Sequence, residues 1–451
     1  MSILHGDGAT ARISRSFFWT ITGFGGAQAL RLGSNLILTR LLFPEAFGLM
    51  ALITAVMVGL SMFSDVGIAP SIQQSPRGDD PRFLDTAWTI QAIRGVLLCL
   101  GAAALALPMA HFYAEPQLAQ LLPVAGLALI LDGLRPTRVE SAGRHLRIGC
   151  VTCTDLAAQL IGLIVTVALA WALQSIWALV FGLIAGSAIK TLMLHLLLPG
   201  QANRFHWDAA SAQELIGFGK WIFLSTICGF LVQQGDRLIL GKYLTIDMLG
   251  IYTIGFFLAS FPRLLGTTAM QRLMIPIYRL RPPAESAENF RAMRRMRFAL
   301  SGGLLALVAT LSGFGPELIA WLYDPRYAAA GGILVLISCI TGFQIVGLTY
   351  DRASLAAGDS RSFFALIALR AATQTGFFIL GAEFAGLVGA LIGQGLSVAA
   401  VYPAQVRLAR RHGVWDALHD ALFAGLALAV ALVALWMNQE AVIALWEGLR
   451  H

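Results

Sequence analysis

Thirteen apolar runs, each long enough to cross a lipid bilayer, follow one another with only short charged or Pro/Gly breaks between them. A hydrocarbon core of about 30 Å needs roughly 20 helical residues. The runs cover residues 17–39, 46–71, 86–109, 117–136, 149–172 and 176–198. A second set covers 215–241, 247–275, 298–322, 329–350, 362–382 and 385–406, and a thirteenth covers 417–437. The last stretch, Ala441 to Leu449, is too short to span and is expected to lie in the interface. Charged residues are only 13% of the chain and hydrophobic residues 57%. An ordinary soluble domain carries about 25% charged residues. A soluble globular enzyme and a disordered chain are both excluded. The pattern predicts an all-α polytopic membrane protein.

The first run, from Phe17 to Leu38, outlasts a signal-peptide core, and no A-x-A cleavage pattern follows it. It is read as a retained span. The formal net charge is +7, which fits basic cytoplasmic loops better than nucleic-acid binding. With the N-terminus inside, the cytoplasmic breaks hold residues such as Arg77, Arg138, Arg144, Arg204, Arg294, Arg297 and Arg410, whereas the opposite side holds mainly Arg40, Lys242, Arg326 and Arg450. That asymmetry supports the span count independently. Cys150-Val-Thr-Cys153 has the spacing of a redox or metal motif, but no second CxxC or His pair completes a site.

An internal repeat divides the chain. A shift of 202 residues lays Gly33, Leu36, Ile37, Leu38, Leu42 and Gly48 on Gly235, Leu238, Ile239, Leu240, Leu244 and Gly250. Arg40 falls on Lys242, Glu45 on Asp247 and Trp19 on Trp221. A weaker echo lays Leu179-Val180 and Leu183-Ile184 on Leu387-Val388 and Leu391-Ile392. The shift equals six spans, an even number, so both halves share one topology. Two six-helix bundles are therefore expected, related by a pseudo-two-fold axis along the membrane normal, plus a C-terminal thirteenth span. The lobes are expected at 1–205 and 206–414, with 415–451 as the extra helix and tail.

Enzymatic chemistry is missing from the pattern. There is no GxxxxGK[ST], HExxH or GxSxG, and no His cluster. No loop is long enough to hold a catalytic domain. No catalytic residue and no metal ligand is therefore assigned.

Charges inside spans are costly and mark function by default. Arg31, Asp236, Arg237 and Arg263 lie deepest, while Asp65, Arg94, Asp155, Lys190 and Arg370 lie nearer the cytoplasmic third. Arg31, Arg94, Arg263 and Arg370, on four spans, suit a cavity for a multiply charged anion such as a pyrophosphate. Structural pairing between helices is the competing reading, most of all for the adjacent Asp236 and Arg237. Asp155 and Lys190 are also read as snorkelling end residues. Gly182-x-x-x-Gly186 and Gly389-x-x-x-Gly393 predict close helix packing, with hinging as the alternative. Pro262, mid-span beside Arg263, predicts a kink.

Three segments carry a family resemblance: Arg31-Leu-Gly-Ser-Asn-Leu-Ile-Leu-Thr-Arg-Leu-Leu-Phe-Pro-Glu-Ala-Phe-Gly48, Phe63-Ser-Asp-Val-Gly67 and Gln234-Gly-Asp-Arg-Leu-Ile-Leu-Gly-Lys-Tyr-Leu244. Asp85 to Gly95 and Pro316 to Tyr327 add to it. The chain resembles the polysaccharide transport family of oligosaccharide flippases, the Wzx-like exporters of exopolysaccharide and lipopolysaccharide repeat units. Their superfamily also holds multidrug antiporters and the lipid II flippase. The resemblance implies a polyprenyl-pyrophosphate oligosaccharide as substrate, moved across the bacterial inner membrane by alternating access without ATP. It implies no cofactor, with H+ or Na+ coupling for which Asp65 and Asp236 are candidates. Membrane lipids, a polysaccharide polymerase and a co-polymerase are the expected partners. The thirteen spans depart from relatives with twelve or fourteen. A multidrug antiporter is the first alternative, disfavoured because the deep charges are mostly arginine. A polytopic glycosyltransferase or polymerase is the second.

Overall fold

A computed structural model describes residues 9–447, apart from 66, 146–147, 220–222, 271–282, 284, 351–353 and 355–358. Trp221 therefore lies outside the described residues. Among the described residues the chain is helical, with no strand. Eight helices are long and apolar enough to span a membrane, and two bent helix pairs raise that to ten. This is a multi-pass membrane protein. The chain divides into two compact units, Met1–Ile227 and Cys228–His451.

In the first unit, Ala9–Leu41 and Pro44–Phe63 are separated by two residues, with Phe43 extended and Pro44 opening the second helix. Phe223–Tyr243, which begins just before the second unit, and Ile246–Ala259 are likewise separated by two residues, with Thr245 as N-cap. The repeated charges have a physical reason. Arg40 and Lys242 occupy last helical turns, and Glu45 and Asp247 occupy first turns. Each sign complements the helix dipole.

The second helix ends at Phe63, short of the expected residue 71. The Asp65 Oδ1 accepts a 2.9 Å bond from the Gly67 amide, and Gly67 takes φ +69°. Ser64 caps the end of the second helix, and the left-handed Gly67 is the N-cap of the short helix Ile68–Gln74 that follows. Pro81–Tyr113 runs 33 residues, about 50 Å at 1.5 Å per residue, so it outreaches the bilayer core. Leu118–Gly133 packs closely on it: a Cβ at Gly95 would lie 2.7 Å from the Leu129 carbonyl. Leu118–Gly133 and Arg138–Arg144 meet at a 52° bend. Ile148–Leu173 and Trp177–Leu197 pack with Gly162 against Gly186 and Thr166 against Gly182. The linker helix Ala209–Gly219 rests on Pro81–Tyr113.

In the second unit, Ile246–Ala259 and Phe261–Ala269 meet at 44°, with Pro262 in the first turn after the bend. The kink lies where the proline predicted it. The next described helix is Ala287–Gly313, not the expected 298–322. Ser286 caps its start by accepting from the Asn289 amide, and the arginine-rich segment read as a loop is helical. Phe314 ends it, and the short helix Gly315–Leu322 follows. Ala330–Leu348 is the hub, packed against Ile246–Ala259, Ala287–Gly313 and Ala417–Met437.

Ser360–Arg411 is helical over 52 residues except at Ala385 and Gly386, where φ reaches +56° at the glycine. A methyl added at Gly381 would fall on the Gly389 carbonyl. The stretch is therefore a tight antiparallel hairpin at the boundary between the runs 362–382 and 385–406. Gly389 and Gly393 face Gly381 and Phe377, which settles their role as close packing. Ala417–Met437 follows, and Asn438 caps nearby carbonyls before Gln439–Glu447.

Candidate functional site

Asp236 is buried within Phe223–Tyr243. The Tyr252 hydroxyl, on the next helix, donates to Asp236 Oδ2 at 2.7 Å. The second carboxylate oxygen, Oδ1, has no hydrogen-bond partner. Arg237 points another way, as adjacent helical residues must. Its guanidinium donates to Gln234 and lies 5.2 Å over the Phe256 ring. Arg237 and Arg263 both lie within electrostatic range of the Tyr252 hydroxyl. The fold thus gathers Asp236, Arg237 and Arg263 around one buried tyrosine, just before the 44° bend. Tyr252 carried no sequence signal beyond being polar within an apolar run.

Arg370 lies on the first arm of the hairpin. Four residues on, Gln374 Nε2 donates to the Val232 carbonyl at 3.3 Å, so this arm packs against the helix that carries Asp236.

In the first unit, the half-buried Arg94 reaches the end of the second helix. Its Nε donates to Ser64 Oγ at 2.8 Å, and its Nη2 donates to the Ser61 carbonyl. Two of its three nitrogens therefore join the end of that helix, where Ser64 Oγ also donates to the Leu60 and Ser61 carbonyls. Asp65 lies within electrostatic range of Arg94. Arg31 is exposed on Ala9–Leu41. Asp155 and Lys190, read as snorkelling end residues, pair with each other at 3.1 Å.

A second polar cluster was not legible as a site. At the start of Ala417–Met437, His419 and Asp420 are buried, with Ser301, Tyr350, Tyr402 and Trp415 bonded to them. Arg297 beside them is 1% exposed. A sequence signal did exist. Trp207-Asp208-Ala209 repeats as Trp415-Asp416-Ala417 at a shift of 208, the shift that also aligns Leu179 with Leu387. Both aspartates cap the helix that follows them: Asp208 accepts from the Ser211 amide and Asp416 from the His419 amide.

Comparison with known proteins identifies the chain's relatives. Residues 37–293, more than half of the chain, match the family model described as polysaccharide biosynthesis protein. The chain belongs to the polysaccharide biosynthesis protein family. This agrees with the resemblance carried by Arg31 to Gly48 and Gln234 to Leu244. Among curated members, the chain is 22% identical over 266 residues to the succinoglycan biosynthesis transport protein ExoT of Rhizobium meliloti (strain 1021), covering 59% of this chain and 53% of that one. It is 22% identical over 247 residues to the lipopolysaccharide biosynthesis protein WzxC of Escherichia coli (strain K12), covering 54% and 49%. The chain spans about half the length of the curated relatives it matches.

The fold of this family member is shared with solved transporters. The lipid II flippase MurJ in an inward closed conformation aligns with a TM-score of 0.67 at 10% identity, covering 94% of this chain and 100% of that one. An inward-facing multidrug resistance MATE family transporter of the MOP superfamily aligns with a TM-score of 0.61 at 14% identity, covering 88% and 95%. At such identities the likeness concerns the fold alone.

Proposed function

We propose that this protein is a flippase that moves polyprenyl-pyrophosphate-linked oligosaccharide repeat units across the bacterial inner membrane for surface or exopolysaccharide synthesis. The observation that carries the reading is the set of guanidinium groups held inside apolar spans, above all Arg263 beside the kink and the Asp236–Tyr252 pair. Diphosphate is multiply charged and well matched by arginine forks. Arg31, Arg263 and Arg370 contact the pyrophosphate, and Arg94 contributes the nitrogen that it does not spend on Ser61 and Ser64. The polyprenyl tail stays in lipid while the sugars cross in the protein interior. No covalent bond is made or broken.

The layout proposed is two six-helix bundles at 1–205 and 206–414, related by a pseudo-two-fold axis along the membrane normal, with 415–451 as the added helix and tail. The N-terminus is cytoplasmic. Transport proceeds by alternating access without ATP, coupled to H+ or Na+ through Asp65 or Asp236. Asp236 Oδ1, buried without a partner, is the more suitable acceptor of the two. A polysaccharide polymerase and co-polymerase receive the product.

The test is export in a deletion strain carrying Arg31→Ala or Arg263→Ala. Loss of surface polysaccharide with normal protein level in both supports the reading. Full export by both single variants overturns the assignment of the arginines.

A further inference from the structure

We infer that His419 and Asp420 form a proton-binding site buried in the C-terminal unit. Its use in transport rests on the flippase reading above; its existence does not.

Asp420 is saturated with donors. Its Oδ1 takes the Tyr350 hydroxyl at 2.7 Å and His419 Nδ1 at 2.9 Å. Its Oδ2 takes the Tyr402 hydroxyl at 2.7 Å and the Trp415 indole N–H at 3.1 Å. An indole offers only a donor, and a carboxylate with four donors is an acceptor on every side. Asp420 thus accepts on both oxygens, and the network assigns a hydrogen to His419 Nδ1.

The other ring nitrogen decides what the site can do. His419 Nε2 lies 2.9 Å from Ser301 Oγ. A serine hydroxyl can donate or accept. With His419 neutral, the hydroxyl donates to Nε2. When Nε2 takes a proton from water, the new N–H donates to Ser301 Oγ, whose own hydrogen turns aside. Both states keep every bond to the ring, and no heavy atom has to move. A ring 0% exposed could not otherwise change charge cheaply.

The surrounding charges are balanced before the proton arrives. From Ala287–Gly313, Arg294 pairs with Asp416 at 2.6 Å. Arg297 donates to the Val414 carbonyl and lies 4.8 Å over the Tyr350 ring. From the hairpin's second arm, Arg410 stacks on Trp415 at the outer side. Two buried carboxylates thus face two guanidiniums, and the proton is taken up directly against Asp420. Arg294, 37% exposed, is the solvent-facing edge of the cluster.

The internal repeat argues against a purely structural lock. In the first unit, Arg77 pairs with Asp208 at 3.5 Å, just as Arg294 pairs with Asp416. At the places of His419, Asp420 and Tyr402, the first unit has Ser211, Ala212 and Leu194, all buried. The capped joint is therefore built in that unit without a buried His–Asp pair at these places. The second unit carries one in addition.

The test uses the full-length protein in lipid nanodiscs with 15N-labelled histidine, followed by NMR. His419→Gln assigns the signal, and Ser301→Ala provides a second, smaller change that keeps the core filled. The expected result is a His419 ring whose nitrogens change from one attached proton to two as the buffer is taken from alkaline to mildly acidic, with that change altered by Ser301→Ala. Ring nitrogens that hold one state throughout would overturn the site. In proteoliposomes loaded with a polyprenyl-pyrophosphate oligosaccharide, the transfer rate should change several-fold over the same range and flatten in both variants. An unchanged pH profile in both variants overturns the coupling role while leaving the flippase reading intact. A His419 that titrates in a protein that transfers nothing keeps the proton site and overturns the flippase reading instead.

Discussion

Tyr252 donates to Asp236 across the repeated helix–turn–helix, at 2.7 Å and out of contact with water. It is the one hydrogen-bond donor to that carboxylate among the described residues. Tyr252→Phe should therefore leave Asp236 buried without a donor, at a cost of about 1–3 kcal/mol. Asp236→Asn keeps an acceptor for the tyrosine and should cost less. Thermal unfolding of the two variants in detergent checks the order. Equal losses would show that the hydrogen bond is not what Asp236 relies on.

The hairpin Ser360–Arg411 turns on the close approach of Gly381 and Gly389. Gly381→Ala or Gly389→Ala places a methyl against backbone, which cannot swing aside as a side chain can, and should cost at least about 1–3 kcal/mol. Gly376→Ala is the control on the same arm, because a Cβ there meets nothing within 4 Å. It should be neutral or stabilising by about 0.5–1 kcal/mol, as helix propensity dictates. The melting temperatures of the three variants decide the matter; a Gly376→Ala as damaging as Gly381→Ala would remove the packing explanation.

These examples mark what the sequence discloses. Apolar runs, punctuation and the repeat locate Ile148–Leu173, Trp177–Leu197, Ala330–Leu348 and Ala417–Met437 to within two residues, because a bilayer imposes its period on every span. Ala287–Gly313 was displaced because hydropathy reads Arg294 and Arg297 as loop residues, whereas the fold buries Arg297 over Tyr350 and bonds it to Val414. The end of the second helix escaped for a similar reason. Asp65 looked like an intramembrane charge, and its carboxylate in fact shapes the Gly67 turn. Partner choice across distant segments, such as Tyr252 with Asp236 or Ser301 with His419, has no local pattern at all. Only the Trp-Asp-Ala repeat hinted at the last of these.

Arg31 and Arg94 should separate by experiment. Arg94 bonds to the end of the Pro44–Phe63 helix, so Arg94→Ala should lower stability by about 1–3 kcal/mol and reduce export together. Arg31 is exposed on its helix, so Arg31→Ala should reduce export with the melting temperature nearly unchanged. Export and thermal stability measured on both variants test the distinction. A destabilised Arg31→Ala would assign Arg31 to structure as well.

Asp416 carries a pH signature. Burial pushes its carboxyl up, but bonds from Arg294 and from the His419 amide outweigh that and hold it below the ordinary range. A carboxyl lowered by folding contributes stability above its unfolded value, about 4, and loses it as pH falls through the lower folded value. The contribution is about 1–2 kcal/mol, since Arg294 is partly in water and the cap adds its share. The wild-type protein should thus melt above Asp416→Asn at neutral pH, and the gap should close on acidification towards pH 3. Other carboxyls contribute equally to both curves and cancel. A gap that is constant with pH would mean that Asp416 acts without its charge.

The most direct measurement of the central claim is lipid transfer by the purified protein. Proteoliposomes would carry a fluorescent polyprenyl-pyrophosphate oligosaccharide, and a membrane-impermeant quencher would report how much label has changed leaflet. The account predicts protein-dependent transfer that falls in Arg31→Ala and Arg263→Ala while both variants remain folded. Folded protein that moves none of several such lipids, or variants that move them as fast as the wild type, would contradict it.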